Sequence, residues 1–400
     1  MVQLLQHARK AQLRPLVAGR EQPIVALSDG QVHALRLRAQ RLGVVDARGP
    51  GSVTSVVSEL CGIQAQDPAA ARLSVRVRSA GLVAADVDDA RVRERSIVRT
   101  WAMRGTLHLV PSEDLGWLLA LLGPVFIAGN RSRRLELGLD EGTCERGLRV
   151  IRDALADRGP LNKAELGEQL AREGIHAYGQ AVVHLIGYAA LSRVLCQGPD
   201  HNGKPTYVLL DDWLGAARPG TLAREEAGAE LGRRYLAAYG PATPEDFAAW
   251  SGLPLKEVRG AWQAVVEGAT EVEIDNRPAW LLRERVAWLE DIPDGRSAPE
   301  VRLLPAFDTY LLGYKSRGRV VAPEHVRRIH PGGGLLHPTL LVDGRAAGTW
   351  KTWRKGGGFE LLVSPFDSLD SPALRGLEAE VRDVGRFLGV EVALRVVPVG

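Results

Sequence analysis

The stretch NKAELGEQLAREGIHAYGQAVVHLIGYAAL, running from Asn162 to Leu191, decides how this chain is expected to fold. Asn162 suits a helix N-cap, residues 163–173 read as the helix it starts, and Gly174 ends that helix. Residues 178–191 then form the candidate second helix of a helix-turn-helix. Just upstream, 144–158 is amphipathic and is broken by Gly159-Pro160. Just downstream, 191–197 and 206–210 read as strands paired around the turn-rich segment 198–205. Three helices followed by a strand pair is the winged-helix arrangement.

The same order recurs on both sides. Toward the C-terminus, helices at 227–239, 243–251 and 254–266 precede strands at 270–274 and 279–283, joined by Asp275-Asn276-Arg277-Pro278. Toward the N-terminus, helices at 32–42 and 52–60 precede the loop Gln64-Ala65-Gln66-Asp67 and a helix over 68–80. Asp67-Pro68 starts that helix as N-cap and first residue. Residues 96–110 then alternate as one strand, with Trp101, Met103, Leu107 and Leu109 on one side and Ala102, Arg104, Thr106 and His108 on the other. Arg95-Ser96 is the expected wing tip, and 113–137 reads as a linking helical stretch.

The last quarter differs. Strands are expected at 301–314, 338–342, 346–353, 358–363 and 390–397, with one amphipathic helix at 371–388. Asp343-Gly344 between apolar runs is a two-residue hairpin signal. The triple glycine 332–334 has no helix after it, so it reads as a loop and not as a phosphate cradle. The expected class is α+β: three tandem winged helix-turn-helix units and a C-terminal β-rich element. The bounds are 1–30 for an N-terminal extension, 31–111, 112–215 and 216–285 for the three units, and 286–400 for the last element.

Composition narrows the function. Four hundred residues with 45% hydrophobic and 25% charged content describe a globular chain with ample core. The net charge of +3 is small, so any nucleic-acid surface is local. Residues 1–44 hold seven Lys/Arg against two acids, and 301–360 hold ten against four, which leaves the remainder net acidic. Three scattered cysteines, Cys61, Cys144 and Cys196, make no metal-ligand spacing with the nine histidines. No apolar run approaches the roughly 18–20 residues of a membrane span, and the polar, basic start lacks a signal-peptide core. A cytoplasmic monomer without membrane contact, metal or cofactor is expected.

Gln64 and Gln66 are an odd choice for a loop that only needs to turn, where Gly, Asn, Asp or Ser would serve. An amide cannot ionise, so neither is a general base or a nucleophile. Held in place, the pair could orient a water or face a cationic reacting centre. It could equally satisfy backbone groups in a buried loop.

Four motifs stand in one order. They are Ile63-Gln64-Ala65-Gln66-Asp67-Pro68, the run from Arg99 to Leu109, the run from Pro305 to Tyr314, and Asp343-Gly344-Arg345 with Gly348-Thr349-Trp350. Together, over about residues 30–400, they resemble the AlkZ/YcaQ family of winged-helix DNA glycosylases. The resemblance implies three winged-helix units around a basic channel and excision of N7- or N3-alkylated purines from double-stranded DNA. Gln66, where related members carry a carboxylate, makes the chain more similar to the AlkZ subtype, whose substrates are bulky adducts or interstrand crosslinks. It also implies service in base-excision repair or antibiotic self-resistance, with Gln64 and Gln66 catalytic.

The remaining site candidates divide by chemistry. Arg104, Thr106 and His108, as one strand face, could line the DNA channel, or could pack a wing on its own helix. Lys351, Arg354 and Lys355 cluster with Trp350 and Trp353 and suit phosphates. His337 is the preferred DNA-probing histidine, though the His-x-Pro spacing expected of the family is absent. Asp308, Tyr310 and Tyr314, read as alternating on a strand, could line the substrate by stacking on a sugar or base, or could be core. Asp67 is a helix cap before it is a base. Two other classes stay open: a winged-helix regulator, and a damage binder without catalysis.

Overall fold

Ser28 and Gln31 open the first helix by reciprocal bonds, Gln31 N donating to Ser28 Oγ (3.3 Å) and Ser28 N to Gln31 Oε1 (2.9 Å). This is a computed structural model, which describes residues 24–43, 51–215, 220–292, 298–355 and 358–398. Residues 1–23 of the expected extension lie outside the described residues. The rest of that extension does not stand apart. Strand β1 (Val25–Ala26) joins a later strand in parallel, and helix α1 (Asp29–Ala39) follows it.

The first stretch continues with α2 (Val53–Glu59), β2 (Ile63–Gln64), α3 (Pro68–Arg76), α4 (Ala84–Val92), β3 (Ile97–Trp101) and β4 (Leu107–Pro111). Asp67 caps α3 as read, its Oδ1 accepting from Ala69 N (2.8 Å) and Ala70 N (3.3 Å). The single strand expected over 96–110 is a hairpin: β3 and β4 pair antiparallel, Trp101 against Leu107. Arg104 (φ 56°) and Gly105 (φ 66°) make the reversal, so the tip lies there and not at Arg95-Ser96. Apolar alternation runs through both arms, so periodicity alone conceals the turn.

The middle holds α5 (Leu115–Gly129), α6 (Arg131–Glu136), α7 (Glu141–Arg158), β5 (Leu161–Asn162), α8 (Lys163–Arg172), α9 (Gln180–Leu191), β6 (Leu195–His201), β7 (Lys204–Leu209) and α10 (Leu210–Leu214). Asn162 Oδ1 accepts from Ala164 N (2.9 Å) and Glu165 N (3.2 Å), while Asn162 N donates to Glu165 Oε2 (2.7 Å). The expectation about apolar runs meets one exception here. Residues 112–129 reach the length of a span at a mean hydropathy of 1.3, yet half of that window is buried inside the protein. Its Trp117, Leu118, Leu121 and Leu122 belong to the largest core cluster, beside Tyr235, Phe247 and Trp250.

Next come α11 (Arg224–Tyr239), α12 (Pro244–Ser251), α13 (Leu255–Val266), β8 (Ala269–Ile274) and β9 (Arg277–Leu282). The order of three helices and a hairpin therefore stands in both the second and the third stretch. Helix α1, assigned from sequence to the first unit, packs instead with the third: Leu27, Val32 and Leu35 share a cluster with Val272, Ala279 and Leu281. Strand β1 pairs parallel with β8. A helical period shows which face is buried but not which partner covers it.

The last stretch has β10 (Val301–Leu304), α14 (Thr309–Leu312), α15 (Val326–Ile329), β11 (Thr339–Val342), β12 (Arg345–Lys355), β13 (Gly358–Pro365), α16 (Ser371–Leu388) and β14 (Val392–Val396). They form one sheet ordered β10-β11-β12-β13-β14. Asp343 (φ 48°) and Gly344 (φ 78°) make the expected tight turn between β11 and β12. The strand expected over 301–314 stops at Leu304, because Asp308 turns in and caps α14 by accepting from Tyr310 N (2.9 Å).

Two ties position the site. The first two hairpins do not stand alone: Arg99 pairs with Gln197, fusing them into a sheet ordered β2-β4-β3-β6-β7-β5. From the end of α3, Arg78 reaches Asp308 with both Nη atoms (2.8 and 2.7 Å), and both residues are fully buried. Arg76 similarly reaches Glu380 and Asp383 on α16.

Candidate active site

Gln64 and Gln66 sit at the edge of the fused sheet, where β2 ends against β4. Gln64 pairs with His108 in register. One residue on, Ala65 N donates to Leu107 O (2.7 Å), but the return bond is not made by the backbone. Ala65 O is taken by Arg99 Nε (2.8 Å), and Leu107 N donates to the side-chain Oε1 of Gln66 (3.2 Å). A side-chain amide thus supplies the missing rung of the ladder. The Oε1 of Gln64 accepts from Arg104 Nη2 at 2.5 Å.

Those partners fix both amides. A backbone N–H and a guanidinium can only donate, so each oxygen points inward and each Nε2 points away from its anchor. The two residues differ in access: Gln64 is buried and Gln66 is exposed. Sequence reading left both the oxygens and the NH2 groups free to orient a water or face a cationic centre; the structure turns each oxygen toward the protein and leaves one lone pair on it.

Arg99 is the residue that sequence reading passed over. Besides Ala65 O it holds Gln197 Oε1 (2.5 Å) and Gln66 O (3.4 Å), so it fastens the glutamine loop to both hairpins. Burial, then Arg91, lowers its pKa from the ordinary arginine value. Its place at the head of the run from Arg99 to Leu109 was the available signal.

Of the expected DNA-facing trio, only Thr106 and Arg104 retain exposure. Thr106 Oγ1 donates to Met103 O (3.1 Å) within the turn. Arg104 turns its guanidinium inward, onto Gln64 and the carbonyl of Trp250, and burial depresses its pKa to about 10. His108 is buried at 1% exposure in the middle of the sheet, where it pairs with Gln64 and Thr100. Burial and then Arg104 beside it lower its pKa to about 3, against a backbone bond to Thr106 O (2.9 Å) that favours the charged form. It is a neutral core histidine, and its expected DNA contact is withdrawn. Because the segment is a hairpin, these three do not share one strand face.

Asp308, Tyr310 and Tyr314 are corrected likewise. Asp308 is spent on Arg78 and on Ser74 Oγ (3.1 Å). Tyr310 is fully buried and donates to Gly344 O (3.1 Å). Tyr314 donates to Tyr239 O (3.0 Å) and carries the Arg36 guanidinium 3.7 Å above its ring. Substrate lining does not fit side chains spent on holding the C-terminal stretch to the rest.

His337 is exposed, with Nδ1 2.9 Å from Arg328 O, and Lys351 is exposed with Nζ 5.9 Å from the ring centre of Trp353. The side chains of Arg354 and Lys355 lie outside the described residues. His330 has burial as the main cause of a pKa near 4, and Arg317 adds to it; the same Arg317 also disfavours the charge on Arg104.

A family model described as "DNA glycosylase AlkZ-like" matches residues 57–387. The chain belongs to the AlkZ-like DNA glycosylase family. It is 32% identical over 375 residues to an interstrand DNA cross-link repair glycosylase of Streptomyces sahachiroi, covering 90% of this chain and 96% of that one. The solved structure of S. sahachiroi DNA glycosylase AlkZ superposes with a TM-score of 0.80 at 29% identity, covering 93% of this chain and all of that one.

An AlkZ-like glycosylase hydrolyses the N-glycosidic bond, and what surrounds the amide pair bears on how. The nearest carboxylate in sequence, Asp67, is committed to capping α3. Among the described residues no group of three or more His, Cys, Asp or Glu could hold a metal. The three cysteines are buried, and burial pushes Cys61 and Cys196 up to about 12, so no thiolate is offered. A cavity of about 740 Å³ lies elsewhere, between α1, the start of α12 and the 315–319 segment. Two of its lining cations are paired, Arg319 with Asp29 and Asp275 and Arg345 with Asp29, and it reaches neither glutamine.

Proposed function

We propose that this glycosylase excises N7-alkylated guanine, including bulky adducts and interstrand crosslinks, by hydrolysis without a general base. N7 alkylation makes the purine cationic, so it departs without being protonated. What remains is to stabilise an oxocarbenium-like sugar and to aim water at its anomeric carbon, as in glycoside hydrolysis. Fixed dipoles do this where no reorganisation is needed at the moment of reaction. The observation that carries the reading is the anchoring of both glutamine oxygens on donors at the edge strand of the sheet, with the adjacent carboxylate, Asp67, capping α3 through Oδ1.

The three helix-rich stretches are read as winged-helix units flanking a channel for double-stranded DNA. His337, Lys351, Arg354 and Lys355 are read as its phosphate contacts. An open edge suits bulky lesions better than a tight base pocket, so little base flipping is expected. The S. sahachiroi relative repairs interstrand crosslinks, which supports including them among the substrates. Service as a cytoplasmic monomer, in base-excision repair or antibiotic self-resistance, is part of the same reading. The regulator and damage-binder alternatives gave no use to a catalytic site and fall with the enzyme family.

The test is incubation with duplex DNA bearing N7-methylguanine, followed by alkaline cleavage at abasic sites. Strand breaks are expected, and they vanish in the Gln64→Ala/Gln66→Ala double variant. Unbroken strands with the wild-type protein would sink the reading. A panel of methyl, bulky and crosslinked N7-guanine substrates then ranks the lesions.

A further inference from the structure

We propose that Arg104 is a positioning residue that makes Gln64 the hydrogen-bond donor of the pair and leaves Gln66 as the acceptor. The proposal rests on the reading of both glutamines as catalytic. It starts from a backbone oddity. Arg104 and Gly105 are the central residues of the β3–β4 turn, Thr106 N donates to Met103 O (3.2 Å), and both central residues have positive φ, as in a type I′ turn. Such a turn favours Asn-Gly or Gly-Gly, and a long cation at its first central position costs backbone energy. That cost is matched here by what the guanidinium reaches.

Arg104 is half-buried, and both Nη atoms of its guanidinium are held. Its Nη1 donates to Trp250 O near the end of α12, and its Nη2 donates to Gln64 Oε1 (2.5 Å). Its backbone is pressed by Gly252, where a Cβ would stand 2.9 Å from Arg104 Cα and 3.0 Å from the Phe126 ring. Among the described residues it has no carboxylate partner, although its guanidinium is turned inward. The charge is therefore met only by two neutral oxygens. One belongs to the proposed catalytic amide, and the other to the third helix-rich stretch.

The consequence for Gln64 is chemical. A cation on Oε1 draws electron density from the amide, which weakens the remaining lone pair and strengthens both Nε2–H donors. Gln66 differs, because its Oε1 faces only the neutral Leu107 N–H and keeps a usable lone pair. Gln64 then donates to an oxygen of the lesioned nucleotide or of the water, and Gln66 accepts from the water. Arg104 touches neither.

A merely structural role, closing the end of α12, and a phosphate contact predict different results, so the test uses full-length protein in a double-mutant cycle. Single-turnover excision of N7-methylguanine at saturating enzyme is measured for wild type, Gln64→Ala, Arg104→Gln and the double variant. DNA affinity and its salt dependence are measured alongside, at a temperature where all four chains are folded. Arg104→Gln is expected to lower the saturating rate about 10²-fold while DNA affinity changes less than about 3-fold. The double variant should be no slower than Gln64→Ala alone, and Gln64→Glu, which has no donor, should be as slow as Gln64→Ala. Arg104→Lys, which keeps a cation near Gln64, should recover part of the rate and carries the comparison if Arg104→Gln does not fold. An unchanged saturating rate with weaker, less salt-dependent binding would overturn the proposal in favour of a phosphate contact. Losses that simply add in the double variant would overturn it in favour of a structural role. An active Gln64→Ala enzyme would instead defeat the catalytic reading itself.

Discussion

Two polar motifs of this chain met opposite fates, the Gln64–Gln66 loop and the Asp308–Tyr314 segment. Both put hydrogen-bonding side chains in a short break between elements. The first lies at the edge of a sheet, uncharged, with its oxygens tied to donors and its Nε2 groups turned away from those anchors. The second is sealed in the interior, its carboxylate matched by Arg78 and its phenols by backbone carbonyls. The difference is one of partners. A buried charge survives only when paired and bonded, and pairing uses up the groups that chemistry would need. Polar residues in a motif therefore mark either a site or a clasp, and the partner decides which.

The contrast yields graded expectations. Replacing both glutamines by alanine should lower single-turnover excision by well over 10²-fold, while the donors left unpaired cost about 1–3 kcal/mol of stability and the chain stays folded at the assay temperature. Asp308→Ala should do the reverse. Stranding Arg78 without its carboxylate should cost about 3–5 kcal/mol of stability, read by chemical denaturation, while the folded fraction excises at the wild-type rate. A large rate loss in Asp308→Ala at full folding would erase the distinction between site and clasp.

His108 supplies a smaller, pH-dependent effect. Its pKa falls from 6.5 to about 3 in the folded chain because it is buried. The unfolded chain therefore binds the proton first as pH drops, and stability declines with acid. The slope should approach roughly 1.4 kcal/mol per pH unit between about pH 6 and 3 from this residue. Urea melts at pH 7, 5.5 and 4 should show it, and His108→Gln should flatten the trend. The smallest effect belongs to Lys351. Lys351→Ala should weaken DNA binding modestly and reduce the slope of log affinity against log salt by about one, with the excision rate at saturation unchanged.

Much of the architecture was legible in the sequence because helix signals there are local. Asn162 with Glu165, and Asp67 with Pro68, start helices where they were expected to. Asp343-Gly344 turns as its dihedral preferences require. What escaped was relational. The Arg104-Gly105 reversal hides inside continuous alternation, and β1, just before α1, pairs with a strand some 250 residues away that no period reveals. The glutamine loop stood out by residue type alone. That Arg99 and Arg104 face inward to hold it could not be read, because side-chain direction depended on the missed turn. Asp308 looked like a ligand-facing acid only while its segment was read as a strand.

The central claim, that excision runs on fixed amide dipoles without a titrating base, is tested most directly by the pH dependence of single-turnover excision. Amides do not ionise between pH 5 and 8, and His108 stays neutral across that range, with a pKa of about 3. The expected result is a rate for N7-methylguanine that stays level over this interval. A rate that falls tenfold per unit on the acid side, as a carboxylate or imidazole base becomes protonated, would contradict the account.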